Sequence, residues 1–204
     1  MAQLKVPALN QKRIKFRIKG MAPLIMHAWS AKGREQLAMT AQERKKVPKV
    51  ARNPEQSAHD ATYWIESDGG LVVGFPLLAF KASLITACHK DLGLEKTMFR
   101  KSFFLPSTSG NLVQLEYTGE PVIREDIVRV GMSQTDIRYR PMFEDWGVQI
   151  EAITDADNLT EQDIVNLVTR AGFGVGVCEW RPEKGGEFGR YTFDSSFPME
   201  VAAV

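Results

Sequence analysis

The stretch RIKFRIKG, Arg13 to Gly20, alternates cationic and apolar residues without a break. On a strand successive side chains point to opposite faces, so Ile14, Phe16 and Ile18 share one face and Arg13, Lys15, Arg17 and Lys19 the other. The segment therefore reads as a half-buried strand with a continuous basic face. Two readings of that face stand side by side. It is a solvated or edge-protecting row, since lysine on an edge strand blocks unwanted pairing, or it meets a polyanion that relieves the repulsion among four cations in line.

The strand opens a basic segment. From Lys12 to Arg52 there are twelve Lys and Arg against two acids, Glu35 and Glu43, a local charge of 12 − 2 = +10 in a chain whose net charge is +1. The remainder is acidic by nearly as much. A nearly neutral protein with one strongly basic segment suggests a polyanion-binding face on a solubilising body.

At 204 residues, 44% of them apolar, the chain has the composition of a globular protein with a sizeable core. No apolar run approaches the ~20 residues that span a bilayer, so no membrane partner is expected. MAQLKVPALNQKR has neither an apolar core nor a cleavage site, so no signal peptide is expected and the assignment is cytoplasmic. Cys88 and Cys178 are the only cysteines; they suit buried reduced thiols rather than a disulfide framework or a metal site.

A walk along the chain gives an α+β order. After MAPLIMHAWS, the residues Ala31–Asp60 form a basic arm that starts like a helix and breaks at Pro48 and Pro54; it carries Lys45 and Lys46. TYWIES and LVVGFP flank Asp68-Gly69-Gly70 and read as a tight hairpin. Pro76 opens a helix with Phe80, Leu84, Cys88 and Leu92 on one face, and Gly93 as its stop. LVQLEY, PVIREDIVRV and WGVQIEAIT are strand candidates. Thr160 caps a second helix with Asp163 three residues on, burying Ile164, Leu167, Val168 and Ala171 and ending at Gly172. GRYTFDSS closes as a strand. With the insertion over 30–75 (arm plus hairpin) set aside, the order is strand, helix, strand, strand, helix, strand. That is a ferredoxin-like, RRM-like split βαβ palm in a single domain over 1–204.

Between the second helix and the last strand lies AGFGVGVCEWRPEKGGEFGRYTF, with six glycines. Glycine that dense means positive φ or unusually close approach. A nucleotide loop is not expected, because such loops follow a strand and open a helix, whereas these glycines close a helix.

Cations beside aromatics recur: Lys15-Phe16-Arg17, His27-Ala28-Trp29, Phe99-Arg100-Lys101, Arg138-Tyr139-Arg140 and Trp180-Arg181. Single-stranded nucleic acid is bound in this way, cations along the phosphates and rings against the bases. His27 and His59 flank the arm, and a His pair near bound RNA could serve as general acid and base in metal-free cleavage. No HExxH, GxSxG or P-loop motif is present, and no cofactor is expected.

RIKFRIKGMAPLIM, GFPLLAFKASLITA and GFGVGVCEWRPEKGGEFGR, in that order, resemble the RAMP superfamily, the RNA-recognition-like proteins that include the backbone subunit of CRISPR effector complexes. The whole chain is also similar to a small protein common in phages and prophages, a stand-alone relative. The resemblance implies a palm that holds single-stranded RNA or DNA, without sequence preference, and copies stacked along the strand, with the arm and the Tyr63–Val73 hairpin reaching the neighbour. The contacts it implies are Lys15, Arg17 and Lys19 on the first strand, Lys81 at the first helix, and Arg181, Lys184 and Arg190 around the glycines. Arg13, His27, Trp29, Lys45, Lys46, Arg138 and Arg140 join them from the charge and aromatic pattern. Glu179, Glu183 and Glu187 depart from a phosphate cradle, since a carboxylate beside phosphate is repelled. They suit a salt-bridged protein–protein contact, and a phage assembly protein is the alternative from another class.

Overall fold

A computed structural model describes residues 6–40, 43, 51–106, 110–131 and 134–204. In chain order the elements are β1 (Gln11–Gly20), β2 (Leu24–Ile25), α1 (Ala31–Ala38), α2 (Pro54–Asp60), β3 (Trp64–Ser67), β4 (Gly70–Pro76), α3 (Leu77–Lys90), α4 (Lys96–Ser102) and β5 (Phe103–Phe104). There follow β6 (Leu112–Gln114), β7 (Glu116–Thr118), β8 (Val122–Val130), β9 (Gln134–Phe143), β10 (Asp145–Asp155), α5 (Glu161–Gly174), a 3-10 turn (Pro182–Lys184), β11 (Tyr191–Phe193) and β12 (Glu200–Ala203). The architecture is mixed α+β with antiparallel sheets.

The alternating segment forms β1, and it lies inside the sheet rather than at its edge. It pairs antiparallel with β10 from Gln11↔Asp155 to Lys19↔Gly147, and on its other side with β11 and β12. An edge-protecting role for its cations is thereby removed. The strand order is β11-β1-β10-β5, with β7 pairing a further stretch of β10. Ile14, Phe16 and Ile18 face Ala152, Ile150 and Val148 across the register, all at most 2% exposed. Each large apolar side chain buried this way contributes about 1.5–3 kcal/mol.

Helices α3 and α5 supply the other half of that core through Phe80, Leu84, Ala87 and Cys88, and through Ile164, Leu167, Val168 and Ala171. Leu92 was expected on the same stripe, but α3 ends at Lys90 and Leu92 is exposed. The capping box at α5 forms as its residues predict: the Thr160 hydroxyl accepts from the Asp163 backbone N–H, and the Asp163 carboxylate accepts from the Thr160 backbone N–H. That helix runs two residues past Gly172, whose missing Cβ is needed, since one built there would sit 1.8 Å from the Tyr191 carbonyl oxygen. The contact sets α5 directly against β11.

The hairpin forms as β3–β4 with Ser67↔Gly70 closing it, and β4 also pairs β6. A third sheet, β2-β9-β8, is built on a nine-pair hairpin from Val122↔Met142 to Val130↔Gln134. Its second strand was not expected from TDIRYRPMF, where Pro141 argues against a central strand. Helix α2, at the end of the basic arm, buries Ala58 and packs against β9. β12 is a further strand beyond the expected last one. No described helix is long and apolar enough to cross a membrane.

Candidate nucleic-acid interface

The outer row of β1 faces away from the core, as its alternation requires, but carboxylates from neighbouring elements meet it. Arg13 Nη1 lies 2.7 Å from Glu151 Oε1 on β10. Arg17 is held twice, by Glu116 Oε2 at 2.7 Å and Asp194 Oδ2 at 3.2 Å, and Lys19 Nζ is 3.9 Å from Asp194 Oδ1. Gly147 leaves the space in which the Arg17 guanidinium lies across the sheet, and Phe197 sits under it at 4.6 Å. Lys15 alone in the row makes no ion pair among the described residues, and its register partners are Glu151 and Glu200. The repulsion read from the sequence is thus relieved from within. Asp194, whose side chain is 5% exposed, was not singled out by sequence, because the residues it holds lie more than 170 positions away.

Three of the six glycines, Gly176, Gly186 and Gly189, come close to their own loop. A Cβ at Gly186 would meet the Trp180 carbonyl oxygen at 1.8 Å, and one at Gly189 the Val177 carbonyl oxygen at 1.9 Å. Backbone hydrogen bonds close it: Val177 N–H donates to Gly189 C=O, Phe188 N–H to Trp180 C=O, and Glu179 N–H to Ile25 C=O. Gly189 N–H donates to Pro23 C=O, so the loop is also fastened to the chain after β1. Cys178 and Trp180 take φ of 61° and 51°, a left-handed region uncommon for such residues. Arg181 is spent in the same closure, its Nη1 donating to Cys178 C=O at 2.9 Å and its Nη2 to Glu183 at 3.0 Å. Arg190 Nε donates to Glu187 C=O; Lys184 is exposed. The amides of Val177, Glu179, Gly186, Phe188 and Gly189 are engaged with carbonyls and so are not offered to a phosphate.

Arg140 is corrected as a candidate contact. Its side chain is 1% exposed, and its Nη2 and Nη1 donate to Asp126 at 2.8 Å and Glu179 at 2.9 Å. Burial of an arginine demands such partners, because an unpaired buried charge is far more costly than a paired one. Arg138, on the same face of β9, lies 3.3 Å from His27 Nδ1 and 3.8 Å from Asp136. His27 Nδ1 is 3.7 Å from Glu179, and its proximity, followed by the Arg140 charge, holds the Glu179 carboxyl below its ordinary range. Beside them is a cleft of about 150 Å³ lined by Tyr63, Ser83, Thr86 and Cys178. Its volume falls short of the roughly 300–1,000 Å³ typical of small-molecule sites. Burial pushes the Cys178 thiol up to about 12, so it is no nucleophile. His59 lies tilted against Trp64, ring centroids 4.8 Å apart, and 3.8 Å from Asp60, and no contact among the described residues joins it to His27. No described group of three or more acids, histidines and cysteines could hold a metal ion.

A different cluster gathers cations without acids. Lys81 on α3 places its Nζ 5.0 Å above the ring of Phe104, a half-exposed residue of the edge strand β5. Burial, and then the charge of Arg100 on α4, lower the Lys81 amine from its ordinary value. Arg100, Lys101 and Lys96 are exposed on that helix, and no carboxylate among the described residues pairs with any of these four cations. Like charges left together in this way favour an anion between them. Arg100 lay within the cation–aromatic pattern; Phe104 was missed, because FRKSFF reads equally as core and surface. Trp29 is 64% exposed beside the Ser30 cap of α1, and Lys45 and Lys46 lie outside the described residues.

No protein-family model matches the chain, and no curated protein matches it in sequence.

Proposed function

We propose that the chain is a non-enzymatic, sequence-independent binder of single-stranded nucleic acid that associates with further copies along its ligand. The observation that carries the reading is the pair Lys81 and Arg100, matched by no carboxylate among the described residues, beside the half-exposed ring of Phe104. A phosphate between the two cations relieves their repulsion, and a base stacked on the free face of Phe104 adds roughly 1–3 kcal/mol. The sheet order β11-β1-β10-β5, with α3 and α5 on the Ile14 face, supports a ferredoxin-like, RRM-like palm, and with it a RAMP-superfamily relationship. On that reading the ligand runs past the β5 edge and reaches the outer face of β1 at Lys15, its one unpaired cation. The carboxylate-matched remainder of the row contributes little.

The test is a gel-shift titration with a single-stranded oligothymidylate and an oligouridylate of equal length. Wild-type protein retards both. The charge reversals Lys81→Glu and Arg100→Glu, made together, weaken the shift with both oligonucleotides while the far-UV circular dichroism stays unchanged. Retention of full affinity by the doubly reversed protein contradicts the site.

A further inference from the structure

β8 is a nine-residue strand at the end of its sheet, and among the described residues no further strand pairs with its outer edge. Its register with β9 runs unbroken through nine pairs, so there is no bulge, and VIREDIVRV contains neither lysine nor proline. Its outward face sets exposed isoleucines among the charges of Glu125 and Arg129. Ile127 is 70% exposed and sits directly opposite Ile137, 42% exposed, on β9. Ile123 continues the row at 43%. The opposite face is accounted for, since Arg124 and Asp126 are tied into the Arg140 network.

We propose that the edge of β8 pairs antiparallel with the same strand of a second copy of this chain, about a two-fold axis at Ile127. The strand is self-complementary in that register and in no neighbouring one. With Ile127 opposite Ile127 of the second copy, Glu125 of each chain faces Arg129 of the other, and the two opposite-charge pairs flank the axis. Shifting the axis to Glu125 or to Arg129 sets like charges face to face, which is destabilising, and shifting it to Asp126 or Val128 sets Ile127 against a charge. The chosen register also joins Ile137, Ile127 and their two counterparts into one row of four isoleucines across a continuous sheet, covering part of the apolar surface each copy leaves exposed. A two-fold contact of this type is isologous and closes on itself. It does not depend on the nucleic-acid reading and forms without a ligand.

The register can be tested by charge exchange. Nuclease-treated full-length protein is measured by sedimentation velocity across a concentration series. Wild type is dimeric. Glu125→Arg, which faces two arginines with two arginines, raises the dimer dissociation constant by about tenfold or more. Glu125→Arg combined with Arg129→Glu restores the wild-type value, because the pairs are re-formed with their signs exchanged. Ile127→Lys, at a position 70% exposed in the single chain, gives monomer with little change in the melting curve, and serves where the charge variant folds poorly. Wild type that is monomeric throughout, or a double variant as weak as the single one in a folded protein, overturns the proposal.

Discussion

Arg140 and Glu179 meet at 2.9 Å, Nη1 to Oε2, and this contact ties β9 to the glycine-rich loop. The same guanidinium holds Asp126 on β8, so three segments converge on one buried cation. A residue that looked like half of an exposed Arg-Tyr-Arg contact is instead the link between the hairpin and the loop.

Replacing Arg140 with alanine leaves Asp126, 6% exposed, with Arg124 as its remaining partner and Glu179 with His27. Removing one member of a buried ion pair costs about 3–5 kcal/mol. Urea unfolding of Arg140→Ala should show a loss in that range, with nucleic-acid affinity of the folded protein unchanged. Arg140→Lys should recover only part, since an ammonium lacks the fork that reaches both carboxylates.

The glycines of the loop should divide into two groups. Gly189 combines a φ of 63° with a carbonyl 1.9 Å from where a Cβ would be, whereas Gly185 has a φ of 79° and open space. Gly185→Ala should cost about 1–2 kcal/mol from backbone strain alone. Gly189→Ala adds a steric displacement of Val177 and should lower the melting temperature more. Equal losses at the two positions would mean that the close backbone approach is not what the glycines serve.

Both cysteines should resist thiol reagents in the folded state. Burial raises Cys88 and takes Cys178 to about 12, so at pH 8 both are held as neutral thiols. Labelling at pH 8 should be slow in buffer and fast in denaturant. Rapid native labelling of Cys178 would show that the loop opens.

Acid should destabilise the fold through its carboxylates. Glu179 is held below its ordinary value by His27 and then Arg140, and Asp163 by the Thr160 side chain and backbone. A folded-state value below the unfolded one gives stability that is present above the unfolded value and lost as pH falls through the folded one. The melting temperature should therefore hold near neutrality and fall as pH drops below about 4.5. Glu179→Gln and Asp163→Asn should each flatten that fall. A profile unchanged in both variants would assign the acid sensitivity to other groups.

The legible parts of the fold were those written in local spacing. The period of RIKFRIKG placed Ile14, Phe16 and Ile18 inside, and Thr160 with Asp163 marked the start of α5. The parts missed depend on partners distant in sequence. Nothing near Arg140 announces Glu179, thirty-nine residues away, and nothing near Arg17 announces Asp194. Glycine density signalled close approach correctly but carried no information on the approaching group, which is the loop's own carbonyls. In the candidate site, Lys81 was foreseen only through a family resemblance, and its neighbours Arg100 and Phe104 become a cluster only once α3, α4 and β5 are packed.

Phosphate binding at Lys81 and Arg100 shows itself in the salt dependence of affinity. Fluorescence anisotropy with a labelled single-stranded oligonucleotide, from about 50 to 200 mM salt, should give a linear fall of log affinity against log salt, with a slope of about −0.7 per phosphate contacted. Reversing Lys81 and Arg100 together should weaken binding at every salt concentration and make the slope shallower by about one to two contacts. No binding at the lowest salt, or an affinity that does not change with salt, would contradict the account.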